Sequence, residues 1–144
     1  MHKTRSTKTV DLPLIPGLLA IFLFGAGIQA TRPDAKAAAD GRRSFMTYCG
    51  SCHGKEAKGN GPLAEQLRVA PADLTRISER NGGEFPFDNV RKIIDGREKV
   101  AGHGSKDMPV WGDAFKTTDT EAQAQERINQ LTHFLWSIQV VPGE

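Results

Sequence analysis

The sequence predicts an all-α fold with long loops, and three observations carry that expectation. Apolar residues recur at helical spacing near both ends of the region beyond residue 30. No stretch alternates apolar and polar residues for long enough to form a half-buried strand. The 15 Gly and 8 Pro of the 144 residues collect largely between the helical patterns, where they mark irregular connections.

The N-terminal part reads as a targeting segment. Residues 1–10 are polar and basic, residues 14–28 are fifteen residues without a charge, and small residues lead to Ala30. A basic start, an apolar run and a small residue at the cut make the layout of a secretory signal at residues 1–30, cleaved after Ala30. The alternative is an uncleaved membrane anchor, since the apolar run counted from Leu12 is seventeen residues, the lower limit for a span. Either way residues 31–144 form one exported domain. Basic residues ahead of the run keep the N-terminus cytoplasmic and send the rest across.

Within that domain the first helix carries Ala38, Gly41, Phe45 and Tyr48 at spacings of three and four, and runs into Cys49. A Gly-rich segment at residues 54–62 follows, and residues 63–67 suffice for one or two helical turns. Residues 70–74 read as an extended loop with a short turn to Arg80, and Asn81-Gly82-Gly83 is a break. Phe87, Val90, Ile93 and Ile94 mark a short helix ended by Gly96, and residues 100–109 form another loop. The last helix opens at Thr118-Asp119-Thr120-Glu121, which has the form of a capping box. Its apolar face is Ala124, Ile128, Leu131, Leu135 and Ile138, and Pro142-Gly143 closes it.

Charge narrows the function. Lys and Arg number 19 against 17 Asp and Glu, and a net +2 is too small for a nucleic-acid binder. Residues 31–144 are neutral, with a basic stretch at 31–58 and an acidic one at 107–144, a dipole that suits oriented docking. No Ser–His–Asp set, paired acid/base constellation or phosphate loop is present.

The chemistry lies at Cys49-Gly50-Ser51-Cys52-His53. This is C-x-x-C-H, the attachment signature of c-type haem. On one helical turn both thiols project to the same side, and each can bond one vinyl group of a porphyrin. His53 then stands beneath the ring as an iron ligand. A thioredoxin-like pair needs a βαβ context, and a structural zinc site needs four ligands, which His2, His103 and His133 do not supply at finger spacing.

The sixth iron position falls to Met108, fifty-five residues after His53 and followed by Pro109. His103 is the rival, and an open position is the third option. Met46 lies on the attachment helix three residues before Cys49 and is expected to fill core.

With these residues in place, the sequence resembles a class I c-type cytochrome of the small bacterial monohaem kind, over residues 35 to about 139. Gly41 and Phe45 stand eight and four residues before Cys49, as in that family, and Leu131 and Phe134 fit their partners on the C-terminal helix. Cys49-x-x-Cys52-His53-Gly54, Gly59-x-Gly61-Pro62 and Met108-Pro109 also match. The resemblance implies a cytochrome c-like fold whose N- and C-terminal helices cross around one covalent haem c. It further implies that the Pro62 carbonyl accepts from the proximal histidine. The dense Lys ring of mitochondrial members is missing.

The expected function is one-electron transfer with His53/Met108 ligation, in the periplasm of a bacterium, soluble or tethered to the inner membrane. The chain serves an enzyme without being one. Its expected partners are redox proteins: a dehydrogenase, a cytochrome complex or a terminal oxidase. The alternative is a haem protein with an open or labile sixth site that binds gases or acts like a peroxidase. Tyr48 and Trp111 are candidates for haem contact, Trp136 for a surface or partner contact, and His133 for an exposed helix position. Arg42, Arg43, Lys55 and Lys58 surround the attachment motif in sequence and are read as a solvated face or a docking patch.

Overall fold

A computed structural model describes residues 32–98 and 108–140. Residues 1–30, where a targeting segment is expected, as well as His103 and Pro142-Gly143, lie outside the described residues. Among those described there are helices and turns but no strand, and none of the helices is long and apolar enough to cross a membrane.

Helix α1 (Ala35–Tyr48) starts where the Asp34 carboxylate accepts the Ala37 N–H at 2.6 Å, satisfying one of the free donors of the first turn. Its buried residues are Ala38, Gly41 and Phe45. The single-turn helix α2 (Gly50–His53) follows and ends at Gly54, whose φ of 80° no helix continues. Tight turns at Ala64–Gln66 and Leu74–Arg76 lead into α3 (Ile77–Arg80). Helix α4 (Phe87–Asp95) buries Val90 and Ile94 and ends at the left-handed Gly96.

Helix α5 (Trp111–Lys116) had no signal in the periodicity, being six residues long. It also moves the start of α6 (Glu121–Ser137). The Thr118 and Asp119 N–H groups donate to the Phe115 carbonyl and so belong to the end of α5. The capping box is therefore Thr120 with Gln123, two residues later than the sequence suggests. Ala124, Ile128, Leu131 and Leu135 are buried as expected.

The most extensive helix–helix contact joins α1 to α6, with α4 and α5 also packed on α6. At its centre the Phe45 and Phe134 rings stand 5.1 Å apart. Truncating either buried ring to Ala would cost about 3–5 kcal/mol. Gly41 faces Gln130 and Leu131 at the closest approach of the two backbones.

Three expectations change. Met46 is 40% exposed and fills no core, because it lies about a quarter-turn round α1 from Phe45, off the buried stripe of Ala38, Gly41 and Phe45. Trp136 is no surface outlier: it stacks on Phe85 at 5.7 Å and packs against Phe87. His133 is half-buried against Phe87 at 4.8 Å, and its Nδ1 accepts the Asp34 N–H at 3.1 Å. Both side chains are covered by the chain returning through Phe85 and Phe87, a long-range contact that no helical stripe reveals.

Candidate functional site

Cys49 closes α1, and its N–H donates to the Phe45 carbonyl. Cys52 and His53 lie on the next turn, and the His53 N–H donates to the Cys49 carbonyl at 2.9 Å. The thiols are not joined in a disulfide. Burial pushes the Cys49 thiol up to about 12, and the neighbouring Cys52 thiol adds in the same direction. It therefore stays protonated near neutral pH. A redox-active dithiol has the opposite character, a thiol lowered into the neutral range.

Met108 approaches from the other side of the sequence, just before α5. Cys49, Cys52, His53 and Met108 all line one cavity of about 530 Å³. That volume falls within the range of cofactor pockets. Its walls are apolar: Phe45, Leu74, Ile94, Leu131 and Leu135 close one part, and Pro109 and Trp111 flank Met108. Tyr48 and Trp111 line it too, as edges of an aromatic cluster with Phe115, whose ring is 5.2 Å from Tyr48 and 5.3 Å from Trp111. Among the described residues Arg80 is the only Lys, Arg, Asp or Glu in the lining, and its guanidinium donates to the Asp73 carbonyl at 2.7 Å.

His53 is oriented by a carbonyl other than the one expected. Its Nδ1 lies 3.2 Å from the Ala72 carbonyl oxygen. A carbonyl only accepts, so Nδ1 carries the hydrogen and Nε2 is the nitrogen with the lone pair. Pro62 is exposed; its neighbours Gly61 and Leu63 donate to the Cys52 and Ser51 carbonyls. The Ala72 carbonyl is brought in by the segment at residues 70–74, tied by Leu74 N–H to Ala57 O at 2.7 Å. Gly59 makes this approach feasible, since a Cβ there would stand 2.2 Å from the Pro71 carbonyl oxygen. The sequence signal for Ala72 is the Pro71-Ala72 step in an extended loop.

The remaining site candidates divide. Met46 is absent from the cavity lining, and His103 lies outside the described residues. Arg42, Arg43, Lys55 and Lys58 are exposed and line no part of the cavity; Arg43 pairs with Asp40, and Lys58 with Glu56 at 3.1 Å. Among the described residues no group of three or more His, Cys, Asp or Glu is assembled to hold a metal ion by itself. The donor set is thus one imidazole, one thioether and two thiols around an apolar slot. That set fits a haem attached through two thioether bonds.

Fold and site together define a class I c-type cytochrome domain. The family described as cytochrome C oxidase, cbb3-type, subunit III matches residues 36–124, and the chain belongs to it. No curated protein and no solved structure matches the chain. Membership makes the chain a haem-based electron-transfer protein.

Proposed function

We propose that the chain is an exported one-electron carrier with one haem c, attached through Cys49 and Cys52 and ligated by His53 and Met108. The observation that supports this reading is the convergence of those four side chains on one apolar cavity from segments fifty-five residues apart in sequence. When bound, the haem supplies a one-electron couple. His53 binds through Nε2, held in that tautomer by the Ala72 carbonyl. Met108 offers a thioether, a weak donor that favours the reduced state and raises the potential. The apolar walls exclude water and disfavour added charge, which acts in the same direction. With His53 and Met108 both holding the iron, no position would be left on it for a substrate.

In this reading residues 1–30 direct export, either as a signal cleaved after Ala30 or as an anchor, and the domain works in the bacterial periplasm. The family description names an oxidase subunit, so a terminal oxidase is the preferred electron acceptor. A dehydrogenase or cytochrome complex is the donor.

The test contrasts two methionines. Met108→Ala should abolish the weak red-edge band of thioether-ligated ferric haem, admit carbon monoxide to the ferrous iron and lower the potential. Met46→Ala should leave all three unchanged, since that side chain is exposed and outside the cavity. An unchanged spectrum in Met108→Ala would remove Met108 from the iron.

A further inference from the structure

The segment carrying Met108 is anchored by residues far from the cavity. Gly96, left-handed at φ 73°, packs so closely on Val110 that a Cβ would lie 3.2 Å from the Val110 Cα. Gly112 lies flush against a planar ion pair: a Cβ there would stand 2.4 Å from Asp95 Oδ1 and 2.5 Å from Arg97 Nε. The chain leaving α4 and the chain entering α5 thus meet at a neck. Met108 is two residues from Val110.

Arg97 holds that neck. Its Nε and Nη2 donate to the two Asp95 carboxylate oxygens at 2.6 and 2.8 Å. Its Nη1 and Nη2 also donate to both Glu121 oxygens at 3.0 and 2.8 Å. Gln125 Nε2 ties Asp95 Oδ2 at 2.7 Å, and Lys116 Nζ lies 3.1 Å from Glu121 Oε2. One guanidinium therefore grips the end of α4 and the start of α6 in two forks, with α5 resting on it. An isolated exposed ion pair contributes little, but a guanidinium held by two carboxylates in two forks fixes geometry. The Arg97 and Asp95 side chains are 28% and 17% exposed, and Glu121 at the second fork is 50% exposed.

We propose that Arg97 is a positioning residue for the sixth iron ligand: bridging Asp95 and Glu121, it fixes the backbone at Val110 and Gly112 from which Met108 and Trp111 enter the cavity. The proposal rests on the reading of Met108 as that ligand. Loosening the neck gives Met108 more freedom when it leaves the iron, so exogenous ligands enter faster.

Imidazole binding to the ferric holoprotein, followed by stopped flow, reads this directly. Arg97→Gln should raise the limiting rate about fivefold or more and weaken the thioether band. Arg97→Lys, which keeps the charge and loses the fork, should fall between it and the wild type. Glu121→Gln should shift the rate in the same direction, and serves if Arg97→Gln fails to mature. Arg76→Gln, which breaks the exposed pair with Glu79, should leave the rate unchanged. A wild-type rate and band in both Arg97→Gln and Glu121→Gln overturns the positioning role while leaving the ligand in place. If wild type and Met108→Ala bind imidazole at the same rate, and neither shows the band, the ligand assignment and this proposal fall together.

Discussion

Gly41 on α1 meets Gln130 on α6 so closely that a Cβ at residue 41 would stand 2.0 Å from the Gln130 carbonyl oxygen. Backbone atoms cannot yield like a side-chain tip, so the helices must separate to admit a methyl group. In an unobstructed helix Gly→Ala gains about 1 kcal/mol. Here overpacking outweighs that gain, and Gly41→Ala is expected to destabilise the holoprotein by about 1–3 kcal/mol. Denaturant titration followed by far-ultraviolet circular dichroism measures it. A gain in stability would contradict the close approach.

Gly59→Ala should act on the haem rather than on the helices. The substitution is strained at φ 79°, and its Cβ would meet the Pro71 carbonyl at 2.2 Å, pushing residues 70–72 outward. The His53–Ala72 hydrogen bond, 3.2 Å in length, should lengthen or break. An imidazole that no longer donates from Nδ1 is a poorer donor to ferric iron. The midpoint potential is therefore expected to rise, as read by redox titration, while Gly82→Ala, with no neighbour within 4 Å, should leave the potential in place.

The Asp95–Arg97–Glu121 network gives the fold an acid-sensitive contribution. Hydrogen bonds from Arg97 hold the Asp95 and Glu121 carboxyls down at about 2, with Gln125 and Lys116 adding to the effect. Both groups have lower values folded than unfolded. Their contribution is present above the ordinary carboxylate range, from about 4.5 upward, and is lost as pH falls toward about 2. Arg97→Gln should therefore be less stable than wild type at pH 7, and the difference should close on acidification and shrink in high salt. A difference that is the same at both pH values would place the stabilisation elsewhere.

Much of this was legible in the sequence, because the features concerned are local. The apolar stripe of α6 follows from helical periodicity, the Gly96 stop from glycine's place at helix ends, and the Gly41 and Phe45 positions relative to Cys49 from the resemblance. The cavity residues Cys49, Cys52, His53 and Met108 were nameable from spacing and from the resemblance. What the sequence hid is tertiary. The acceptor for His53 is Ala72 rather than Pro62, because a contact across Gly59 selects it. The start of α6 slid from Thr118 to Thr120 because α5, too short to show a period, used the preceding N–H groups. Trp136 and His133 looked exposed along α6 until the chain at Phe85 and Phe87 folded over them. Arg97 carries no motif at all; its role emerges only where three helices meet.

The central claim is that Cys49 and Cys52 bind one haem covalently, and the mass of the purified holoprotein tests it most directly. After acid–acetone extraction, intact-mass spectrometry should show the polypeptide carrying one haem, with the added mass mapping to the peptide that contains Cys49, Cys52 and His53. The Cys49→Ala, Cys52→Ala double variant should lose it. Recovery of the unmodified polypeptide, with all the haem in the acetone, would contradict the account.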